Sequence, residues 1–490
     1  MSIPIDRRPS PRGRVPALVA PLVVALAGCS AYWPLSDDIE ERIRAETASL
    51  SPSIGEDDAV RRIGEEAASG DLAPPEAFPL PPEPALEDYV RFALERNPRI
   101  RAMVRDVEAM GLRVPQVTSL DDPMLTFVPP TGDMTQTAGG MMDASVGISQ
   151  KVPFPSKLAA RGRVAEQVVR IALENLRATR LDVVADVKQA YYGYYLTGIS
   201  VRVAREHIDL LRRIRDVAAA KFRAGIAPQQ DVLRAEVELY QLSNELLTLE
   251  QEVRTARAAL NVLIDRGIEA ELPPPSPFDA QRVEWELETL MARAVAASPE
   301  LQTLRETVRR DLEAGRLARL DYLPDFSVGG AYSFIGGGIS PVADGSDAWN
   351  LTLGMTLPVW FQRIRAGILQ RNAEILGSAL RYRSRRNDVF VALQDALVRV
   401  DIQYRRALLF RDAILPRARQ AVEVSESGYQ SGQLDFLTWI DNWRRLIEFT
   451  LEYHRALAGL EQSFALLEQL AGGELPRAAP QPRPLPETTP

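Results

Sequence analysis

The sequence has 490 residues, of which 46% are hydrophobic and 25% are charged, and its formal net charge is −8. This composition excludes a chain that is disordered throughout, and the acidic balance disfavours nucleic acid as a partner. No internal run of about 18 or more apolar residues occurs, so no transmembrane helix is predicted. The length allows two or three ordinary domains.

Residues 1–28 have the features of a bacterial signal peptide. Four arginines precede an apolar run at 15–27, which is too short to span a bilayer. The motif Leu-Ala-Gly-Cys at 26–29 resembles a lipobox, in which the cysteine is acylated and becomes the first residue. We therefore predict lipidation of Cys29, the only cysteine of the chain; an ordinary signal peptide or an inert buried thiol are the alternatives. In such lipoproteins Ser30, next to the cysteine, favours the outer membrane.

Proline-rich segments lie on both sides of the central part of the chain. Residues 29–85 are also polar and acidic, which predicts a tether with at most one short helix, at 38–48. The tail at 472–490 is rich in proline as well and is predicted to be disordered.

The central part, 86–270 and 286–471, is a duplication. Four motifs recur in the same order at an offset of 201–207 residues. The pairs are Asn97-Pro98 with Ser298-Pro299, Pro123 with Pro324, Pro153 with Pro358, and Phe222–Gly225 with Tyr429–Gly432. Each half is therefore predicted as helix, strand, loop, strand, very long helix, tight turn and helix, with the proline-rich residues 271–285 as a connector.

Short segments of alternating hydrophobicity predict strands with two different faces. Apolar residues occupy alternate positions on one face in 325–334 and 349–357, and 145–149 repeats the pattern more briefly. Those of the longer segments are Phe326, Val328, Tyr332 and Phe334, then Trp349, Leu351, Leu353, Met355 and Leu357. A membrane-spanning barrel strand of about 9–11 residues has this alternation, with a polar lumen inside. A half-buried soluble sheet has it too.

Coiled-coil helices are predicted beside the strands. No proline interrupts 156–227, and apolar residues recur there every three or four positions, as they do in the returning helix and in the second half. A helix of about 65–70 residues is roughly 100 Å long, far beyond ordinary globular helices. Pro416 lies inside the second long helix and is predicted to bend it.

Four strands are too few to close a sheet in lipid. Bilayer hydrocarbon offers no hydrogen bonds, so a sheet there must have no free edges, and single-chain barrels begin at about eight strands. If these strands lie in the membrane, copies of the chain must share one barrel. Three chains with twelve strands are the smallest comfortable solution.

The pattern resembles the TolC family of outer-membrane factors over 86–471. The residues that carry the resemblance are Asn97-Pro98, 150–155, Lys221–Gly225 with Asp231–Leu233, Leu415-Pro416, and Gly428–Gly432 with Phe436-Leu437. Residues 149–158 are similar to the heavy-metal branch, which is associated with RND pumps and usually has a glycine where Ser156 stands.

The resemblance implies a mainly α fold with a small β part. Each of two repeats supplies long coiled-coil helices and two strands, and a trimer forms a twelve-stranded β-barrel that continues as an α-helical barrel into the periplasm. It implies a passive exit duct of a tripartite efflux pump for metal ions or drugs, gated at its periplasmic tip. The partners are two further copies of the chain, outer-membrane lipid, a periplasmic adaptor and an inner-membrane pump.

The resemblance also assigns roles to individual residues. The turns at Gly225 and Gly432 are expected to meet the adaptor, and Asp231, Tyr429 and Asp441 match residues of the periplasmic aperture. Thr438 and Leu434 stand where the best-known members have an acid and an arginine, so closure here is expected to be weaker or to use other partners. An ordinary solvated acid at a helix start is the alternative for Asp231.

Signals for an enzyme or a cofactor site are missing from the sequence. His207 and His454 are far apart in sequence and each is predicted on a helix surface, so no metal, catalytic or cofactor site is expected. Met134, Met141 and Met142, with Met124 nearby, hint at Cu(I), whose ligands include thioethers, or merely fill a flexible loop. The alternatives to an efflux duct are a type I secretion duct, a structural coiled-coil lipoprotein without a channel, and a lipid-anchored enzyme.

Overall fold

The computed structural model describes residues 35–48, 50, 53–70, 78–129, 136–137, 140–337 and 345–477. The predicted signal peptide, Cys29, Met134 and most of the predicted disordered tail lie outside the described residues. The helices are α1 Asp37–Thr47, α2 Asp57–Ser69, α3 Leu86–Arg96, α4 Pro98–Thr118, α5 Pro155–Arg223, α6 Gln229–Leu263, α7 Leu287–Ala297, α8 Pro299–Arg319, α9 Phe361–Leu409, α10 Leu415–Ser431 and α11 Phe436–Ala471. The strands are β1 Met124–Val128, β2 Gln136–Thr137, β3 Gly140–Val152, β4 Phe326–Gly336 and β5 Ala348–Met355.

The chain forms two compact units. Of the described residues, the first contains those up to Asp37 and those within Gly111–Glu166 and Arg310–Glu374, and with them the whole sheet. The second contains the described residues within Asp38–Met110 and Gln167–Arg309 and those from Ile375 onwards, and it includes both helical hairpins. Among the helices of the described ranges, none is long and apolar enough to cross a membrane.

The sheet of the first unit is antiparallel and has the order β1-β3-β4-β5, with the two residues of β2 paired to β3. Its register sorts the side chains into rows. One row is Phe127, Val146, Tyr332 and Trp349, and the next row along the strands is Thr126, Gly147, Ala331 and Asn350. Because successive residues of a strand point to opposite faces, the apolar rows share one face and the small or polar rows the other. The alternation predicted from sequence is confirmed.

The apolar face of the sheet is exposed in the single chain. Trp349 and Leu353 are 71% and 74% exposed, and Leu351 and Met355 between and beside them are exposed as well. A half-buried soluble sheet would cover such a face with other parts of the fold. β3 is longer than the predicted segment at 145–149, and β2 was not predicted, since their residues at 136–144 do not alternate regularly.

The long helices follow the prediction, with one unexpected feature. α5 runs for 69 residues without a break. Its counterpart in the second repeat changes at Phe410–Ile414 from α-helical to π-helical hydrogen bonding, and α10 begins directly afterwards. Pro416 lies in the first turn of α10, where a missing N–H is tolerated. A π turn, which is a recognised cause of helix bending, therefore lies directly before the proline.

The predicted tether contains more helix than expected. α1 matches the predicted helix at 38–48, but α2 was not predicted. Asp57 and Asp58 stabilise the first turn of α2, and Gly70 ends it in a left-handed conformation with φ of 81°. α1 also buries Ile39 completely and pairs Glu46 with Arg180 of α5, so this part of the segment is held by the fold.

Candidate functional site

Two helical turns in the second unit have the same backbone geometry. In the first, which joins α5 to α6, Gly225 has φ of 74° and the Ile226 N–H donates to the Lys221 carbonyl at 2.9 Å. In the second, which joins α10 to α11, Gly432 has φ of 81° and the Gln433 N–H donates to the Gly428 carbonyl at 2.8 Å. Glycine suits both positions because a left-handed residue with a side chain is strained. We call these the first and second tip turns.

A buried hydrogen bond joins the two hairpins. The Tyr429 hydroxyl, from α10, donates to Oδ2 of Asp231, from the first turn of α6, at 3.0 Å. Both side chains are buried, so Asp231 is not a solvated helix-start acid in the single chain. Burial, and then the hydrogen bond to Asp231, raise the pKa of the Tyr429 phenol. The phenol therefore keeps its proton, and with it its role as a donor, at physiological pH.

Aromatic side chains pack around this hydrogen bond. The Tyr429 ring lies 5.5 Å from Phe436 and 5.3 Å from Trp439, measured between ring centroids. These residues belong to one hydrophobic cluster of α5, α6, α10 and α11, which also contains Leu211, Ile214, Ala218, Ala235, Ile440 and Trp443. Close packing around the polar pair restricts the movement of both side chains and so fixes the geometry of their hydrogen bond.

His207 of α5 is part of the same packing. Its ring lies 5.9 Å from Trp443, edge to face, and the side chain is buried. The prediction of a surface histidine was wrong here, because α5 is covered on this side by the second hairpin. Burial lowers the pKa of His207 to about 4, so the imidazole is neutral at neutral pH.

Asp441 lies apart from the pair formed by Asp231 and Tyr429. Its side chain is 59% exposed, and it accepts from Nη1 of Arg444 at 3.3 Å. Arg444 also forms an ion pair with Glu238 of α6, so this second polar link again joins α11 to the first hairpin. The structure brings together two of the three predicted aperture residues within the single chain and leaves the third facing solvent.

Lys221 is a contact residue whose role the sequence did not reveal. Its ammonium lies 4.6 Å from the centroid of the Tyr429 ring and donates to the Tyr429 backbone carbonyl. A lysine close to a helix C-terminus is commonplace in a sequence, and its partner here is a backbone atom. The only available signal was its place in the motif before Gly225.

The methionine pattern does not form a cluster in the described residues. Met124 of β1 pairs with Ser149 of β3. Met142 lies seven positions from Ser149 along β3, about 24 Å away at about 3.4 Å per residue. Met141 and Met142 are neighbours on a strand and point to opposite faces. Within the described ranges, no group of three or more histidine, cysteine or acidic side chains is arranged to hold a metal ion.

Comparisons with known proteins identify the family of the chain. The family model described as outer membrane efflux protein matches residues 90–265 and 290–473, the two repeats. The cobalt-zinc-cadmium resistance protein CzcC of Cupriavidus metallidurans is 22% identical over 396 residues, which cover 79% of this chain and 90% of CzcC.

Two solved structures have the same fold. The crystal structure of CusC, a protein described for its folding and transmembrane channel formation, superposes with a TM-score of 0.69 at 16% identity and covers 82% of this chain and 99% of CusC. The Campylobacter jejuni outer membrane channel CmeC gives a TM-score of 0.65 at 15% identity, covering 82% of this chain and 94% of CmeC. Since the family model spans both repeats, the chain belongs to the outer membrane efflux protein family.

Proposed function

We propose that three copies of this chain form a channel with a continuous β-barrel wall through the outer membrane. This channel serves as the passive exit duct of an efflux pump. The observation that carries the proposal is the sheet: one face presents exposed apolar rows and the other small or polar rows. β1 and β5 are the two ends of its hydrogen-bonded order. Joining β5 of one copy to β1 of the next closes the wall and satisfies both edges.

Aromatic residues at both ends of the sheet support its place in a bilayer. At one end lie Tyr332, Phe334 and Trp349; at the other lie Tyr322 and Phe361, stacked at 6.3 Å, with Trp360 beside them. Phe326 and Tyr332 are six residue steps apart along β4, about 20 Å of strand, which is close to the apolar band of about 25 Å in outer-membrane barrels. Aromatic side chains favour the two membrane–water interfaces because their rings are amphipathic.

A lipid anchor at Cys29 fits the position of the first described residues. Ser36 donates to Glu166 of α5 at 2.9 Å, eleven residues, or about 17 Å of helix, after Pro155. Ser36 is seven residue steps after Cys29, and seven steps extend at most about 25 Å, which is enough to return to the start of α5, next to the sheet. Single acyl chains hold only reversibly, so three copies would anchor together far more firmly.

We propose that the two tip turns and the hydrogen-bonded pair Tyr429–Asp231 form the gate. In this proposal Tyr429 and Asp231 hold the two hairpins of each copy in the closed position, and Asp441, exposed in the single chain, faces the pore and contributes to an acidic ring. Gly225 and Gly432 shape the turns that meet a periplasmic adaptor, which connects the duct to an inner-membrane pump of the RND type. The likeness to CzcC, named for cobalt-zinc-cadmium resistance, supports metal ions as cargo, with drugs as the second class. The chain itself would have no catalytic role.

Conductance across planar bilayers tests the proposal. Purified, lipidated protein is inserted at low density and single-channel currents are recorded. We expect the parent protein, with its gate closed, to show discrete current steps of small conductance. In Tyr429→Phe the conductance of these steps should be larger. A folded trimer that gives no current would contradict the duct and would favour a structural coiled-coil lipoprotein. Deleting the gene and measuring tolerance to cobalt, zinc, cadmium, copper and drugs then identifies the cargo.

A further inference from the structure

The backbone of Lys221 is held by hydrogen bonds of the first tip turn, whereas its side chain extends away from that turn. Its carbonyl accepts the N–H groups of Ile226 and Ala227 at 2.9 and 3.3 Å, which closes the turn after α5. The side chain extends to the other hairpin and is partly buried there. A residue held in this way presents its ammonium at a defined place relative to α10.

Both contacts of this ammonium are with Tyr429. The ring face lies 4.6 Å away, a cation–π distance, and the backbone carbonyl accepts a hydrogen bond from Nζ. The same carbonyl accepts the Gly432 N–H at 3.2 Å, so it belongs to the hydrogen bonds that close the second tip turn. A cation at the C-terminal carbonyls of a helix is also favoured by the helix dipole.

Tyr429 is thus held by the first hairpin at two points. Asp231, at the start of α6, binds its hydroxyl, and Lys221, at the end of α5, binds its ring and carbonyl. The two residues lie on either side of the first tip turn, so that turn and Tyr429 form one connected group. The equivalent position to Lys221 in the second hairpin is Gly428, which has no side chain to return the contact.

We propose that Lys221 is a positioning residue that couples the two tip turns of one copy, so that they move as one body when the aperture opens. The coupling acts through Tyr429 and rests on the proposed function only in what it says about the aperture. Without the ammonium, the second tip turn would move independently of the first. The bond between Tyr429 and Asp231 would then break more often.

Amide hydrogen exchange of the full-length protein tests the coupling directly. Lys221→Met keeps the length of the side chain and removes its charge. Arg223→Met is the matched control because, within the part of the chain that the structure describes, Arg223 donates only to Ala219 of its own helix. We expect Lys221→Met to speed exchange in the second tip turn, at 428–434, by roughly three- to tenfold, although the substitution lies in the first hairpin. Lys221→Arg, which keeps the cation and its donors, should stay within about twofold of the parent protein.

The outcomes separate the inference from the proposed function. Exchange at 428–434 that is equal in Lys221→Met and Arg223→Met would overturn the coupling, as would an arginine variant that exchanges as fast as the methionine variant. If the methionine variant does not fold, Lys221→Gln, which lacks the charge, is measured against the same control. In bilayers, Lys221→Met should raise the open probability by a similar factor. A parent protein without current would refute the duct and leave the exchange result valid.

Discussion

The two tip hairpins share a backbone but distribute their side chains differently. Tyr429, in the second hairpin, is 4% exposed, whereas Phe222, at the equivalent place in the first, is 44% exposed. Asp231 of the first hairpin is buried, and its counterpart in the second, Thr438, is exposed. The two hairpins therefore share the geometry of their turns, while the first carries the acid and the second carries the phenol.

This asymmetry makes each hairpin depend on the other. An aromatic side chain that donates a hydrogen bond is placed where its partner can only come from the other repeat, and the same holds for Lys221. The equivalent positions have no such partners: Phe222 has no hydroxyl and Gly428 has no side chain. The differences produce one joined structure within each copy.

The largest expected difference between the hairpins is in the packing of their aromatic residues. Tyr429→Ala should leave a cavity beside Phe436 and Trp439 and lower the free energy of opening the tip by about 3–5 kcal/mol. Phe222→Ala should lower it by less than about 1 kcal/mol, because Phe222 is exposed and lies outside the buried cluster. Amide exchange of α10 and α11 measures both. Equal losses would show that the tips are alike in energy despite their different burial.

Acidification should weaken the support that α5 gives to the second hairpin. The pKa of His207 in the folded protein, about 4, lies below its ordinary value of 6.5, so the unfolded chain binds a proton first as the pH falls. The stability that the neutral imidazole contributes is complete above pH 6.5 and declines towards pH 4, where the loss amounts to about 3 kcal/mol.

Denaturation midpoints at pH 7 and pH 4.5 measure that decline, with His207→Leu as the test variant. Burial, and then Arg202, also lower the pKa of His454 to about 4, so His454 adds to the effect and a part of the pH dependence should remain. If the denaturation midpoint of His207→Leu fell between pH 7 and pH 4.5 by as much as that of the parent protein, the burial of His207 would be refuted.

The shared hydrogen bond should have a smaller effect than the packing. Tyr429→Phe keeps the ring and leaves the buried Asp231 without its donor, which should cost about 1–3 kcal/mol of closure. Single-channel recordings should show shorter closed times. Asp441→Asn, which changes an exposed acid outside this pair, should leave the Tyr429–Asp231 bond intact and alter cation selectivity more than closed time. The opposite ranking would mean that Asp441 holds the gate.

The smallest expected effect should be the same in both hairpins. Gly225 and Gly432 have nearly equal positive φ angles, and a β-carbon added to either glycine would meet no heavy atom within 4 Å beyond its own chain neighbours. Alanine at either place should therefore cost about 1 kcal/mol, from backbone strain alone. Amide exchange of the two turns compares them. A much larger loss at one glycine would reveal a contact that only the assembled trimer makes.

The sequence predicted those parts of the fold that depend on local patterns. The alternation at Trp349, Leu351 and Leu353 indicated a strand and its two faces, and the uninterrupted apolar repeat indicated α5. The π turn before Pro416 was missed because the proline marks the place but not the type of hydrogen bonding. α2 was missed because its segment is polar, acidic and flanked by prolines, as a tether would be, and the helix buries none of its side chains in the fold.

The candidate site depended on resemblance and on tertiary contacts. Asp231 and Tyr429 are 198 residues apart, and no local pattern in either segment indicates that they meet. The family resemblance singled out both, and it also singled out Asp441, which the fold of the single chain leaves exposed. The contact of Lys221 was not predicted because its hydrogen-bond acceptor is a backbone carbonyl, and every type of residue has such a carbonyl.

The most direct test of the central claim is the distance between β1 and β5 of neighbouring copies in lipid. Because the strands of a closed barrel are staggered, a cysteine at Thr126, on the polar face of β1, would be combined in turn with a cysteine at Asn350 or Thr352, on the polar face of β5, and each variant oxidised in outer-membrane vesicles. We predict covalent dimers and trimers in the double variant whose cysteines lie opposite each other and only monomers in each single variant. Double variants that both stay monomeric, while their sheet is protected from water-soluble thiol reagents no better than an exposed loop, would contradict a shared wall in the membrane.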